Sequence, residues 1–122
     1  LNQAKKEFSK GEMDKAEDLL QLVLDRHSDS SEGFNPLVAA AQTRLCRIYI
    51  SKKEYQKVLD TLSNMEVLTA SLLEIKGDVE NELGQYELAR VSYTKALQNS
   101  PSQTSRALIS MKISDLQGDE IE

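Results

Sequence analysis

The sequence of 122 residues has few of the residues that usually carry catalysis, metal binding or covalent cross-links. It contains one cysteine, one histidine and no tryptophan. A single cysteine excludes an internal disulfide and any multi-cysteine metal site. The only histidine, His27, has no partner at a spacing that suits a metal ligand or a general base, so a surface histidine is the better interpretation. These absences argue against an enzyme.

Excess positive charge and long apolar runs are also missing. The net charge is -5 and the isoelectric point is near 5.0, so no general electrostatic attraction to nucleic acid exists. The four tyrosines and two phenylalanines are not interleaved with clusters of lysine and arginine. No apolar run approaches the roughly 18 residues that a bilayer span requires. The composition is typical of a folded, helix-rich protein.

The remaining candidates for chemistry fail on spacing. The acidic segment 25–32 lacks the glycine and the closing glutamate of an EF-hand loop. Gly77 and Gly84 follow no strand, so they do not form a phosphate-binding loop. Cys46 falls at a small-residue position of a helix, which predicts a packed and inert thiol. The sequence therefore predicts no catalytic residue, no cofactor, no metal, no nucleic acid and no small-molecule substrate.

Three segments of the sequence share one pattern, which predicts helix-turn-helix repeats. In each segment a helix end is followed by a tight turn, at Gly11, Lys53 or Gly84. A large side chain follows two residues later, and a small or β-branched residue lies three further on. The distance from Gly11 to Lys53 is 42 residues and that from Lys53 to Gly84 is 31. Against the period of about 34 residues that tetratricopeptide repeats have, the first gap holds eight extra residues and the second lacks three. The extra residues fit the polar stretch 27–34, and the missing ones fit a short second helix that ends near Ser63.

The third unit, within 70–103, matches the tetratricopeptide signature most closely. Lys76 and Glu80 depart from it, since a leucine and a large aromatic residue are usual there. The second unit keeps both of those types, as Leu45 and Tyr49. Six of the eight signature positions of the third unit are occupied as expected, by Leu73, Gly77, Ala89, Tyr93, Ala96 and Pro101.

We therefore predict an all-α fold of tetratricopeptide-like helix-turn-helix repeats in a right-handed superhelix. It has about three repeats, the first truncated, and a C-terminal capping helix. We expect one domain over 1–122, with repeat units at about 1–27, 36–65 and 70–101, a capping helix at about 102–117 and an acidic tail at 118–122.

Local signals add detail to this prediction. Asn35–Pro36 and Ser100–Pro101 each provide a helix N-cap followed by proline at the first helical position. The polar stretch 27–34 is typical of a loop. Helical spacing predicts three buried apolar stripes. Their members are Ala16, Leu19, Leu20, Val23 and Leu24; Leu37, Ala41, Leu45, Ile48 and Tyr49; and Leu108, Ile109, Ile113 and Leu116.

A repeat array offers a concave surface that is formed by the first helices of successive units. Such a surface suits an extended or helical peptide, which it can hold through apolar contacts and charge pairing. A solvated face without a partner is the competing interpretation. The residues that we predict to face a bound polypeptide are Lys5, Phe8, Thr43, Arg47, Ile50, Glu74, Asp78, Asn81 and Glu82.

The second half of the chain resembles a specific family. Ile75-Lys-Gly-Asp78, Gly84, Ala89-Arg90 and Tyr93 are followed by Ser110-Met-Lys-Ile-Ser-Asp-Leu116. This order is similar to that of the ancillary SecYEG translocon subunits of Gram-negative bacteria, the YfgM-like proteins. The Met-Lys-Ile-x-x-Leu ending is the most specific part, because generic repeats do not require it. Weaker similarity extends back to about Leu1.

The resemblance implies a location and a set of partners. Proteins of that family have a single inner-membrane helix followed by a periplasmic repeat domain. The present sequence begins without methionine, so we expect it to be the periplasmic part, with its membrane anchor missing from the N-terminal side. The implied partners are SecYEG and a membrane-anchored periplasmic foldase, and the implied role is to help receive exported polypeptides.

A second interpretation remains open at this stage. The chain could belong to a cytosolic tetratricopeptide scaffold or adaptor within a larger assembly or regulatory protein. Composition and periodicity do not separate the two, whereas the resemblance favours the translocon. A hydrophobic span of about 20 residues upstream of Leu1 would distinguish them.

Overall fold

The computed structural model describes residues 2–26, 35–65 and 67–116, and these residues form helices without strands. This confirms the predicted all-α, tetratricopeptide-like fold class. The predicted loop 27–34, with His27, and the acidic tail 118–122 lie outside the described residues. The helices are α1 (Asn2–Arg26), α2 (Pro36–Ser51), α3 (Tyr55–Ser63), α4 (Ala70–Glu82), α5 (Tyr86–Asn99) and α6 (Gln103–Ser114).

The chain forms two compact units, Leu1–Lys52 and Lys53–Glu122. In the first unit α1 packs on α2. In the second unit α4 packs mainly on α5, while α3 packs on α4 and α6 packs on α5. The single domain over 1–122 stays a prediction.

The turn that we predicted at Gly11 is wrong, because α1 continues through this residue. A glycine inside a helix costs about 1 kcal/mol relative to alanine. Its neighbours, from Lys10 to Ala16, are mostly good helix formers, and no proline lies within α1. Each added residue of an existing helix gains a backbone hydrogen bond, so one glycine does not end it.

The other two turns are present, and each contains a residue in the left-handed region. Lys53 has φ 62° and Gly84 has φ 78°. Glycine adopts this conformation without a steric penalty, whereas lysine does so at a cost. The turn at Lys53 separates α2 from α3, and that at Gly84 separates α4 from α5.

In the first unit a partly buried lysine joins the end of α2 to α1 through ion pairs. The Lys52 ammonium donates hydrogen bonds to Asp14 and, at 2.8 Å, to Glu17 Oε1. These hydrogen bonds raise the pKa of Lys52, and the one from Lys52 lowers the pKa of Asp14. Only 16% of the Lys52 side chain is exposed. The contact ties the two helices together at a point where a lysine alone would be poorly solvated.

The predicted apolar stripes are broader than the buried faces. Leu19, Leu37 and Leu108 are each more than half exposed, so their assignment to buried stripes was wrong. A helix turns by about 100° per residue. Leu19 and Leu108 each lie one residue from a less exposed stripe member, and Leu37 lies two residues from the buried Ala39. Ile109, for example, is 1% exposed while Leu108 beside it is 52% exposed.

The helix N-caps agree with the sequence in one case and differ in the other. The Asn35 side chain accepts hydrogen bonds from the backbone N–H groups of Leu37 and Val38, with Pro36 at the start of α2. In α6 the cap is Ser102, whose Oγ accepts from Ser105 N at 3.0 Å. The predicted cap, Ser100, instead ends α5 in an extended conformation. A residue before proline is pushed towards that conformation, so α6 begins later.

The core of the second unit forms around Tyr93. This side chain is 2% exposed, and its ring lies directly against Gly77 of α4. A Cβ atom on Gly77 would lie 2.6 Å from ring atoms Cδ1 and Cε1, closer than real Cβ contacts. Glycine at this position therefore allows α5 to approach α4. The buried members of the cluster are Leu73, Ala89, Tyr93, Ala96, Ile109 and Leu116.

We expect Gly77→Ala to lower the free energy of unfolding by about 1–3 kcal/mol, because the added methyl group overpacks a buried ring. Gly11→Ala is the matched control. It adds the same methyl group inside a helix, at a position with nothing within 4 Å of the new atom. It should raise stability by about 0.5–1 kcal/mol through helix propensity. Urea denaturation followed by circular dichroism measures both changes. Equal effects of the two substitutions would contradict the packing role of Gly77.

Candidate protein-binding surface

An acidic pair on α4 holds a lysine from α6. Lys112 Nζ lies 2.6 Å from Glu74 Oε2 and 3.1 Å from each carboxylate oxygen of Asp78. Glu74 and Asp78 are one helical turn apart, so both carboxylates point to the same place. All three side chains are about one-third exposed. Two of the predicted binding residues thus already have a partner within the unit.

Tyr93, a buried residue of α5, holds the Asp78 side chain in position. Its hydroxyl group donates a hydrogen bond to Asp78 Oδ1. Burial and this hydrogen bond raise the pKa of Tyr93, so the hydroxyl stays protonated and remains a donor. The Lys112 ammonium lies 6.0 Å from the centre of the Tyr93 ring. Burial alone would lower the pKa of Lys112, but its hydrogen bonds to Glu74 and Asp78 raise it overall.

The two other predicted residues of α4 continue the same face. Asn81 is half-buried and Glu82 is exposed. Asp78, Asn81 and Glu82 lie three or four residues apart, which places them together on the helix surface. The α4 face has three acidic residues, Glu74, Asp78 and Glu82, and Lys112 pairs with the first two. Acidic residues therefore outnumber basic ones on this face. The face is suited to a partner that brings a cationic side chain.

The predicted residues of α2 form a different kind of surface. Thr43 donates a hydrogen bond to the carbonyl oxygen of Ala39 at 2.8 Å, so its hydroxyl proton is used within α2. Arg47 is exposed and Ile50 is half-buried. The spacing of four and three residues places Thr43, Arg47 and Ile50 on one side of α2. This α2 face combines a cation with an apolar side chain.

Lys5 and Phe8 lie within α1, but the side chains of residues 2–9 are outside the described part of the structure. The structure therefore describes the predicted binding residues on α2 and on α4 only. The binding role of all nine predicted residues stays a prediction.

Lys112 also belongs to this surface, although it was not among the predicted residues. It lies 34 residues after Asp78, which is the repeat length that tetratricopeptide arrays use. Residues one repeat apart occupy equivalent positions on neighbouring first helices. Applying the repeat length beyond Pro101 would have placed Lys112 beside Asp78.

The two departures from the repeat signature in the third unit form a buried polar network. Glu80 is 2% exposed and accepts hydrogen bonds from Lys76 Nζ and Ser92 Oγ, each at 2.6 Å. Lys76 also lies 3.3 Å from Ser92 Oγ. Every carboxylate oxygen of Glu80 therefore has a partner, which a buried charge requires. The network joins α4 to α5 and so helps to hold in place the helix that bears the α4 face.

The described residues give little support for a reactive thiol or a metal site. Cys46 is fully buried, and this burial raises the pKa of its thiol to about 11, which disfavours the reactive thiolate. Among the residues that the structure describes, no group of three or more histidine, cysteine, aspartate or glutamate side chains is placed to hold a metal ion. In the same part of the chain, no helix is both long and apolar enough to cross a bilayer.

The chain belongs to the tetratricopeptide repeat-like domain family, whose model it matches over residues 1–118. Comparison with curated proteins found no match, and neither did comparison with solved structures. Domains of this kind are generally non-catalytic modules that bind other proteins. The family thus identifies the coarse function of the chain as protein–protein interaction.

We expect Glu80→Ala to lower the free energy of unfolding by about 1–3 kcal/mol, because it leaves Ser92 and the partly buried Lys76 without their acceptor. Glu82→Ala, which removes an exposed carboxylate from the same helix, should change stability by less than about 0.5 kcal/mol. Thermal and urea unfolding measure both. A Glu80→Ala chain as stable as the Glu82→Ala chain would contradict the structural role of the network.

Proposed function

We propose that this chain is the periplasmic, protein-binding part of a membrane-anchored accessory subunit of the Sec translocon. In this role it helps a periplasmic foldase to receive exported polypeptides. The observation that carries the proposal is the Met-Lys-Ile-x-x-Leu ending, which follows a third repeat with the order of the YfgM-like family. Membership of the tetratricopeptide repeat-like family is compatible with it.

The residues of that ending have specific places in the fold, which supports their use as a marker. Leu116 is 1% exposed, Ile113 packs against the same cluster, and Lys112 pairs with the acids of α4. The ending therefore defines how the last helix docks. Generic repeats need no such lysine, so its presence favours a particular family over the fold in general.

The mechanism that fits this surface is passive binding. The α2 face provides a cation and an apolar side chain, and the α4 face provides carboxylates. Each face by itself suits a short segment of polypeptide, the α2 face one with apolar and acidic residues and the α4 face one with basic residues. We expect roughly micromolar affinity, as is usual for small and wet interfaces. Binding and release then require neither nucleotide hydrolysis nor a covalent step.

Affinity capture of the full-length protein from detergent-solubilised membranes tests the cellular role. The expected result is co-purification of the export channel and a periplasmic foldase, identified by mass spectrometry. Recovery of cytosolic proteins alone would overturn the translocon role and favour a cytosolic scaffold. The same preparation made without the tagged protein controls for adhesion to the resin.

A double substitution tests the α2 face. We expect Arg47→Glu with Ile50→Glu to weaken binding of the captured partners by at least about tenfold, because it reverses one charge and replaces an apolar contact. Val91→Glu with Lys95→Glu is the matched control, since both residues are exposed on α5 and undergo the same chemical changes. Binding is measured by titration after circular dichroism has shown both variants to be folded. Equal affinities for the two variants would contradict a role of the α2 face.

A further inference from the structure

The last helix, α6, packs on a surface formed by α4 and α5, which we call the seat. Only a few residues of this segment are buried there. Ile109 and Leu116 are each 1% exposed, and Ile113 is half-buried against the same cluster. Lys112 adds its ion pairs with Glu74 and Asp78. Ile109, Lys112 and Ile113 share one face of α6, and Leu116 follows two residues after the helix ends at Ser114.

The rest of α6 contributes little to its own attachment. Its exposed residues are Gln103, Thr104, Arg106, Ala107, Leu108, Ser110, Met111 and Ser114. The segment that tethers it to α5 consists of Ser100, Pro101 and Ser102, and both of its serines are extended. The ion pairs are partly exposed, so salt and competing charges weaken them. An element with few buried contacts opens at a lower free-energy cost than the well-packed helices beside it.

The seat itself is built without α6. Its apolar floor consists of Leu73 from α4 and of Ala89, Tyr93 and Ala96 from α5. The Tyr93 hydroxyl group, also on α5, holds the Asp78 carboxylate in place. The contact of Gly77 with the Tyr93 ring likewise involves only these two helices. Removal of α6 would therefore leave a preformed apolar groove with two carboxylates at its edge.

We propose that α6 is an exchangeable occupant of this seat, and that the seat binds partner polypeptides as amphipathic helices. Such a partner presents apolar residues at the spacing of Ile109, Ile113 and Leu116 and a lysine or arginine where α6 has Lys112. The proposal rests on the protein-binding function proposed above and specifies the class of partner. It is a helix-in-groove interaction that an internal helix inhibits.

Charge explains why a basic partner is selected. Glu74 and Asp78 pair with Lys112, and an acidic residue brought to the same place would be repelled by two carboxylates. A neutral residue would leave the two carboxylates without their cation. The competition between α6 and a partner also sets the apparent affinity. The apparent affinity for the partner equals the intrinsic affinity multiplied by the fraction of molecules in which the seat is open, so it rises when α6 is loosened.

A fluorescent peptide with the sequence of residues 103–116 is the probe. Its binding to the full chain is followed by anisotropy, for the wild type and for Lys112→Glu. The substitution loosens the chain's own α6 but leaves the seat unchanged, so we expect the peptide to bind at least about fivefold more tightly. Ile113→Ala, a milder loosening, should give a smaller increase. Lys95→Glu, the same charge reversal on the exposed side of α5, should change nothing.

Three results would overturn the proposal. The first is a peptide affinity that is the same for wild type, Ile113→Ala and Lys112→Glu. The second is undiminished binding of a peptide that itself carries Lys112→Glu. The third is a wild-type dimer that the peptide dissociates, which would assign the seat to α6 of a second copy. None of these affects the α2-face test, so the protein-binding function can survive the loss of this inference.

Discussion

The close contact between Gly77 and Tyr93 is the constraint on which the second unit depends. Because residue 77 has no side chain, the Tyr93 ring lies against the α4 backbone. The ring belongs to the same buried cluster as Ile109 and Leu116, and its hydroxyl group donates a hydrogen bond to Asp78. Asp78 and Glu74 in turn hold Lys112. A single small residue thus determines the packing of α5, the position of a surface carboxylate and the docking of α6.

The carboxylates of α4 have two different roles because their surroundings differ. Glu80 is buried and has hydrogen-bond partners on both oxygens, so it contributes to the pairing of α4 with α5. Glu74 and Asp78 are partly exposed and share one ammonium group that comes from another helix. A buried, fully paired charge is costly to disturb, whereas an exposed ion pair contributes little and exchanges partners readily. One acidic residue of α4, Glu80, can therefore stabilise the fold while two others, Glu74 and Asp78, stay available for binding.

Much of the fold could be predicted from the sequence, because repeat signatures specify residue types by their packing. Gly77, Ala89 and Tyr93 were recognised from spacing alone, and the turn at Gly84 from its glycine. Gly11 misled the prediction, since glycine permits a turn without requiring one, and helix continuity depends on the surrounding residues. Ser100 misled it in the opposite direction. Its neighbour Pro101 suggested a helix start, but the backbone before a proline favours an extended conformation, and the cap fell to Ser102.

The candidate surface was harder to predict, because charge complementarity between helices depends on where each helix ends up. Glu74 and Asp78 were both predicted to face a bound polypeptide, yet the lysine that they contact lies 38 and 34 residues along the chain, respectively. The sequence suggested α6 only as a cover for the end of the array. Once Lys112 is placed between the two acids, α6 acquires the features of a bound ligand, with apolar anchors, a matching charge and an extended tether. A capping helix and a bound partner helix meet the same physical requirements at this site. Whether α6 behaves as one or the other is therefore decided by the small difference in free energy between its own docking and that of a competing helix.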